Sequence, residues 1–387
     1  MNLSYILNEL GEERDQYFNA IAPPIIQTSN FTFPSVAAMR ADLSREHEVH
    51  FYTRGNNPTV EILRKKLAAL EGAEDALVTA SGSAAIACAV LANVAQGDHI
   101  VSVAKPYSWT SRLMQDMLPR FGVTTTFVDG TDPANYERAI QPNTKVIYLE
   151  SPNSFTFELQ DIRAVAAIAR VRGIVTLIDN SYCTPLYQRP LDLDVDISLH
   201  SASKYIGGHS DVVAGVICGS KAMMHRIFYS EYMTLGGIVS PMNAFLLIRG
   251  LRTLPLRLER SSQSALRIAQ FLEAHPSIRY VHYPFLPSNP QYELARRQMT
   301  GCGGLLTIAL NTNRIDVVDA FADNLKRFLL GVSWGGHESL VFPASVTYAN
   351  GQPTVNDIGF TRVRLYVGLE EPEVLVADLE QALAMVK

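Results

Sequence analysis

Leu199-His-Ser-Ala-Ser-Lys-Tyr-Ile-Gly-Gly-His-Ser-Asp211 places one lysine, Lys204, among hydroxyls and glycines directly after an apolar run. Asp196-Ile-Ser-Leu-His200 before it and Val212-Val-Ala-Gly-Val-Ile217 after it read as buried strands, rich in β-branched and apolar residues. Two readings of Lys204 stand open. A desolvated lysine loses its proton readily and becomes a nucleophile toward aldehydes, whereas a lysine at a strand end can also reach out to water along its apolar stem.

The chain around this stretch has 387 residues, 47% of them hydrophobic and 18% charged, which is ordinary globular composition with room for more than one domain. A net charge of -5 offers no basic field for nucleic acid. The first ten residues lack the basic start and apolar core of a signal peptide, and no stretch reaches the ~20 apolar residues of a membrane span, so the sequence predicts a cytoplasmic protein without a membrane partner. Cys88, Cys183, Cys218 and Cys302 show no metal-binding spacing and are expected to be buried thiols; no metal is expected.

Residues 1–50 read as an arm: Ala22-Pro-Pro-Ile-Ile26 is extended, because a residue before proline is driven out of the helical region. A helix follows, with Asn57 as N-cap, Pro58 at its first position, Val60, Leu63, Leu67 and Leu70 on one face, and Gly72 at its end. Tyr52 and Arg54 just before it read, on their own, as surface loop. Val78 to Ile86 passes from a strand through Ser81-Gly82-Ser83 into an alanine-rich helix, whose free N-terminal amides suit a phosphate, although Ser-Gly also begins many helices as a plain cap. Strands at 99–103, 124–128, 145–149 and 174–178 alternate with helices at 111–120 and 161–170, the pattern of an α/β fold with a largely parallel sheet. The last of these strands ends in Asp179, where open α/β sheets gather ligands and where an aspartate also serves as a turn residue. Two helices are expected at 241–252 and 255–274. Strands at 278–283, 304–310 and 362–367 with helices near 316–325 and 372–385 give a smaller α+β layer. The expected units are an arm (1–50), a large domain (51–254) and a small C-terminal domain (255–387).

A phosphate cradle, a carboxylate after a buried strand and a lysine after the next strand are together what pyridoxal phosphate (PLP) requires. No G-x-G-x-x-G follows a strand to support a dinucleotide instead. At this point the sequence resembles the Cys/Met metabolism (trans-sulfuration) family of fold type I PLP-dependent enzymes. The resemblance runs almost the whole length, through Tyr52-Thr-Arg54, Asn57-Pro-Thr59, Ser81-Gly82, Glu150-Ser-Pro, Ile178-Asp-Asn180, Ser201-Ala-Ser-Lys-Tyr205, Gly208-His-Ser-Asp211, Arg249-Gly-Leu-Arg-Thr-Leu254, Ser333-Trp-Gly-Gly336 and Arg364-Leu-Tyr-Val-Gly-Leu369.

The resemblance implies roles for the matching residues. Lys204 would hold the cofactor as a Schiff base and shuttle the α-proton, Asp179 would pair with the pyridinium, and Tyr107 would stack on the ring. Ser81, Gly82, Ser83, Ser201 and Ser203 would bind phosphate, with Tyr52 and Arg54 supplied by a neighbouring subunit of a dimer or tetramer; Tyr52 and Tyr107 would also assist catalysis. Arg364 would clamp the substrate carboxylate, with Ser333, Ser154, Trp334 and Phe51 nearby. Tyr107 and Ser154 also allow a plain structural reading. In γ-acting cystathionine enzymes acids tend to stand where this chain has Phe51 and Val332, and Phe51-Tyr52, Glu150-Ser-Pro-x-Ser154 and Ser333-Trp-Gly-Gly336 are similar to bacterial cystathionine β-lyases. The leading expectation is therefore β-elimination of cystathionine to homocysteine, pyruvate and ammonia. The alternatives are a γ-lyase or γ-synthase acting on cystathionine or methionine and, remotely, a non-catalytic protein of the same fold. Arg-Gly-Asn-Asn-Pro-Thr59, Pro106-Tyr-Ser-Trp109, Val332 and His337 depart from the β-lyase pattern.

Overall fold

A computed structural model describes residues 1–348 and 359–386; residues 349–358 and 387, both within the expected C-terminal unit, lie outside the described residues. Strands β1 (Asp75–Thr79), β2 (His99–Val103), β3 (Thr124–Val128), β4 (Thr144–Glu150), β5 (Val175–Asp179), β6 (Ile197–Ser201) and β7 (Gly215–Gly219) form a seven-stranded sheet in the order β1-β7-β6-β5-β4-β2-β3. β3, β2, β4, β5 and β6 run parallel. β7 is antiparallel to both β6 and β1. Helices cover both faces, which is why strands such as His99–Val103 are buried at every position rather than alternating. This is the α/β class that the alternating pattern predicted.

The helix starts behave as their residues dictate. Asn57 caps the helix Pro58–Glu71 by accepting the Thr59 N–H at 3.0 Å, and Ser81 caps Gly82–Leu91 by accepting the Ala84 N–H at 3.1 Å. Two expectations are corrected. The helices predicted at 241–252 and 255–274 are one helix, Pro241–Glu273, with Pro255 inside it, so the boundary placed at 254/255 falls within continuous helix. An interior proline costs ~3 kcal/mol, and here Leu247, Leu251, Leu254, Leu258, Ala265 and Ile268 bury one stripe on both sides of it, which at ~1.5–3 kcal/mol per large side chain outweighs that cost. The strand expected from Val212 begins only at Gly215, because Ser203 holds Ala214: its hydroxyl accepts the Ala214 N–H at 3.0 Å and donates to the Ala214 carbonyl at 3.3 Å.

The smaller layer is a five-stranded sheet of β8 (Ile278–His282), β9 (Leu305–Leu310), β10 (Leu329–Leu330), β11 (Leu340–Pro343) and β12 (Arg362–Tyr366), in the order β10-β11-β12-β9-β8. β10 and β11, two and four residues long, carry too little pattern to be seen in the sequence. The arm is not all extended, since it holds short helices at Leu3–Asn8 and Val36–Asp42. Among the described residues no helix is long and apolar enough to cross a membrane. All four cysteines are free and buried, as expected.

Candidate active site

Because β4, β5 and β6 are parallel and neighbours, their C-terminal ends lie side by side. Glu150 is in register with Asp179, and Asp179 with Leu199 two residues short of Ser201. Lys204 follows in a tight turn: its N–H bonds to the Ser201 carbonyl at 3.1 Å and its carbonyl accepts the Gly208 N–H at 2.8 Å. Arg257, from the long helix, fixes this turn by donating to the Tyr205 carbonyl at 2.8 Å. Gly335 presses against it from the small sheet's side; with φ +88, a Cβ there would lie 2.9 Å from the Lys204 Cα and 2.7 Å from the Tyr205 nitrogen, so only glycine fits.

Lys204 is half-buried. Its Nζ donates to the Ser333 hydroxyl at 2.6 Å and lies 5.3 Å from the centroid of the Trp334 ring. Burial, reinforced by the Arg364 charge and opposed by Asp179, pulls its pKa down from 10.5 to about 8. This favours the first of the two sequence readings: the amine sits inside and gives up its proton easily.

Asp179 accepts the Ser181 N–H at 2.9 Å. Burial pushes its carboxyl pKa upward, against Ser181, His200 and Lys204, which favour the charged form. The Ser181 hydroxyl in turn accepts the Ser201 N–H at 2.6 Å. Gly82 packs onto the same residue from the other side, where an added Cβ would lie 2.9 Å from Ser201 Cβ. The amides of Gly82 and Ser83 open the helix and have no partner within it, so this close approach forms a small cradle for an anion. The Ser81 hydroxyl is spent on the cap and that of Ser203 on Ala214.

Tyr107 stands at the start of the helical segment after β2, where its N–H donates to Glu150 Oε2 at 2.7 Å. Burial raises its phenol pKa, against a hydrogen bond from Ser83, with Asp179 and Glu150 adding to the rise. Arg364, on β12, donates to the Val332 carbonyl at 2.8 Å and lies 5.1 Å from the Phe342 ring and 5.8 Å from the Phe155 ring. Among the described residues it forms no salt bridge, and burial lowers its pKa to about 10. Ser154, which donates its backbone N–H toward Glu150, and Phe155 lie on the loop after β4.

Tyr52 and Arg54 are exposed and form a pair of their own, with the guanidinium 5.4 Å from the tyrosine ring. Phe51 packs on Phe33 at 4.9 Å, and Trp334 packs on Tyr205 at 5.4 Å. The structure thus gathers Lys204, Asp179, Ser201, Gly82, Ser83, Tyr107, Ser333, Trp334 and Arg364, and leaves Phe51, Tyr52 and Arg54 on the arm side. Sequence reasoning missed Phe342, whose only signal is its register opposite Arg364, and gave Ser181 and Glu150 no role.

The donor set fits PLP: a low-pKa amine for an aldehyde, an amide cradle closed by glycine for a phosphate, and a carboxyl group at the end of β5, the strand beside the one that leads to the amine. The comparisons agree. The family model described as Cys/Met metabolism PLP-dependent enzyme matches residues 6–384. The chain is 39% identical over 380 residues to an L-methionine gamma-lyase of Treponema denticola, covering 96% of this chain and 94% of that protein. It is 38% identical over 378 residues to a cystathionine gamma-lyase of Bacillus subtilis, with 96% and 97% covered. Against cystathionine gamma-synthase 1 of Arabidopsis thaliana it is 40% identical over 371 residues, with 94% and 65% covered. All three are named for γ-chemistry, which fits the γ-acting alternative better than the leading expectation of a β-lyase. The residues that suggested that branch have local structural partners, Phe33 for Phe51 and Tyr205 for Trp334, and such packing does not report which carbon loses its sulfur. With the site geometry and the match over residues 6–384 in agreement, the chain belongs to the Cys/Met metabolism family of PLP-dependent enzymes.

Proposed function

We propose that this protein is a carbon–sulfur lyase acting at the γ-carbon of a methionine-type amino acid, converting methionine and water to methanethiol, 2-oxobutanoate and ammonia. The observation that carries this reading is Arg364. It is a cation with no salt bridge among the described residues, near Lys204 and flanked by the Phe155 and Phe342 rings. A guanidinium so placed suits an amino-acid carboxylate, and the apolar rings beside it suit an uncharged thioether better than the distal ammonium of cystathionine. Phe51 and Val332 add no acid that would hold such an ammonium. Relatives named L-methionine gamma-lyase support the same choice.

Bound PLP supplies an aldehyde that condenses with amines and a ring that accepts the electron pair left by a departing proton. In this reading the Gly82 and Ser83 amides with Ser201 would hold the phosphate, Ser203 shaping the wall through Ala214, and Asp179 would pair with the ring nitrogen. The Lys204 amine would remove the α-proton and then serve at the β-carbon. Ser333 holds that amine between transfers. The Tyr107 phenol, protonated at neutral pH and with its pKa raised further from 10.0, would donate a proton to the departing thiolate. Tyr52 and Arg54, exposed on the arm, serve the phosphate of a neighbouring copy, making the active unit an oligomer.

The test is to incubate the cofactor-loaded enzyme with methionine and with cystathionine and to identify the keto acid by mass. 2-Oxobutanoate with methanethiol from methionine is expected. 2-Oxobutanoate from cystathionine alone would overturn the substrate and keep the γ-chemistry; pyruvate would overturn both.

A further inference from the structure

Glu150 has no part in the reaction described above, yet its carboxyl group is placed at the centre of the site. It ends β4 in register with Asp179 at the end of β5 and is 7% exposed. Its main-chain N–H is held by Gln160 Oε1 at 3.1 Å, and its Oε2 accepts the Tyr107 N–H at 2.7 Å. The two carboxyl groups therefore lie on adjacent strands, Glu150 buried and Asp179 half-buried, where two negative charges cannot stand together cheaply. Their surroundings differ. Asp179 faces Lys204 and the His200 ring, both of which favour its charged form, and is bonded by Ser181. Glu150 faces the amides of Tyr107 and Ser154, the phenols of Tyr107 and Tyr148, and Asp179 itself. No cation is paired with it among the described residues.

We propose that Glu150 is a positioning residue for the cofactor ring: as the neutral member of the carboxyl pair it clamps the turn that carries Tyr107 and leaves Asp179 as the single negative charge on that side of the site. The proton belongs on Glu150 because the Lys204 ammonium and the Ser181 hydrogen bond both favour the charged form of Asp179, while Glu150 has only amide donors. Burial and the adjacent Asp179 act in the same direction and raise the Glu150 carboxyl above the usual carboxylate range. A neutral acid can still accept the Tyr107 N–H through its carbonyl oxygen, so the clamp needs no charge. With Glu150 ionised instead, Asp179 would be driven to take up the proton, and the ring nitrogen would lose its counter-charge.

This inference rests on the reading of Asp179 as the ring-nitrogen partner, and three variants separate the two. Infrared difference spectra of wild type at about neutral pH, against Glu150→Gln and Asp179→Asn, read the protonation directly. The expected result is a neutral carboxylic-acid carbonyl band that is absent from Glu150→Gln and present in wild type. A wild-type protein without the band, or a band that survives in Glu150→Gln, would overturn the inference. PLP affinity measured by absorbance titration reads the clamp. Glu150→Ala should bind PLP about tenfold more weakly, what one lost hydrogen bond is worth. Glu150→Gln, which keeps an accepting oxygen, should recover most of that loss, and equal weakening in both variants would overturn the clamp. If Asp179→Asn binds PLP as tightly as wild type, the Asp179 reading fails on its own, whatever the band shows.

Discussion

Replacing Lys204 by methionine should make the cofactor-free protein more stable at neutral pH, although it removes the group on which the proposed reaction depends. The ordinary lysine pKa of 10.5 falls to about 8 in the folded chain. At 1.36 kcal/mol per tenfold change in proton affinity, holding this amine charged inside the fold costs ~3 kcal/mol. Below pH 8 the full penalty is present. Between about 8 and 10.5 the unfolded chain binds more protons than the folded one, so stability rises with pH and the penalty disappears. Methionine has nearly the same length and no charge; it forfeits the hydrogen bond to Ser333, worth ~1 kcal/mol. The net expectation is that Lys204→Met stabilises the apoprotein by ~2 kcal/mol near pH 7 and that this advantage vanishes above about pH 10. Urea unfolding of the two apoproteins at equal concentration measures it, the matched concentration removing any contribution from subunit association. A Lys204→Met protein no more stable than wild type near pH 7, or a difference that does not shrink with rising pH, would refute the buried, low-pKa amine on which the assignment of Lys204 rests.

The cradle and the clamp give two further expectations. Gly82→Ala would place a Cβ 2.9 Å from Ser201 Cβ and 3.1 Å from Ser201 Cα; overpacking of ~1–3 kcal/mol should weaken PLP binding by about tenfold or more in an absorbance titration, and unchanged affinity would remove Ser201 and Gly82 from the phosphate site. Arg364→Leu should raise KM for the amino acid by roughly 10- to 100-fold, the worth of a hydrogen-bonded charge pair with a carboxylate, while the lysine-bound cofactor's absorbance survives; steady-state kinetics and a spectrum on one preparation decide it.

Much of the site was legible because its parts are local. Asn57 before Pro58, Ser81 before Gly82, and Asp179 and Lys204 after buried strands each carry their meaning within a few residues, and strand alternation was enough to bring the ends of β4, β5 and β6 together. What stayed hidden depends on pairings across the fold. Glu150 stood in plain view in Glu150-Ser-Pro, yet nothing near it in the chain shows that Asp179 lies in register beside it or that the Tyr107 amide reaches it. Phe342 gains its place against Arg364 only through an antiparallel pairing of two strands, one of them four residues long. The proline at 255 misled for the opposite reason: the local rule is sound, and a buried stripe along 33 residues overrode it.

These cases share one physical feature, which is that the site collects charges the fold would be more stable without. Burial lowers the Lys204 pKa to about 8, Asp179 and Glu150 are pushed toward their protonated forms, and Arg364 stands without a carboxylate among the described residues. In a purely structural core each would be replaced by an apolar residue at a gain in stability. In the proposed reading three of them, Lys204, Asp179 and Arg364, answer the aldehyde, the ring nitrogen and the carboxylate that a PLP enzyme of amino acids must hold, and binding those ligands would relieve them. The electrostatic strain in the site is thus a chemical description of what it suits, and it holds whether the sulfur leaves from the β- or the γ-carbon. That choice rests instead on the Phe155 and Phe342 side of Arg364, where no charge is concentrated and where the sequence offered least to read.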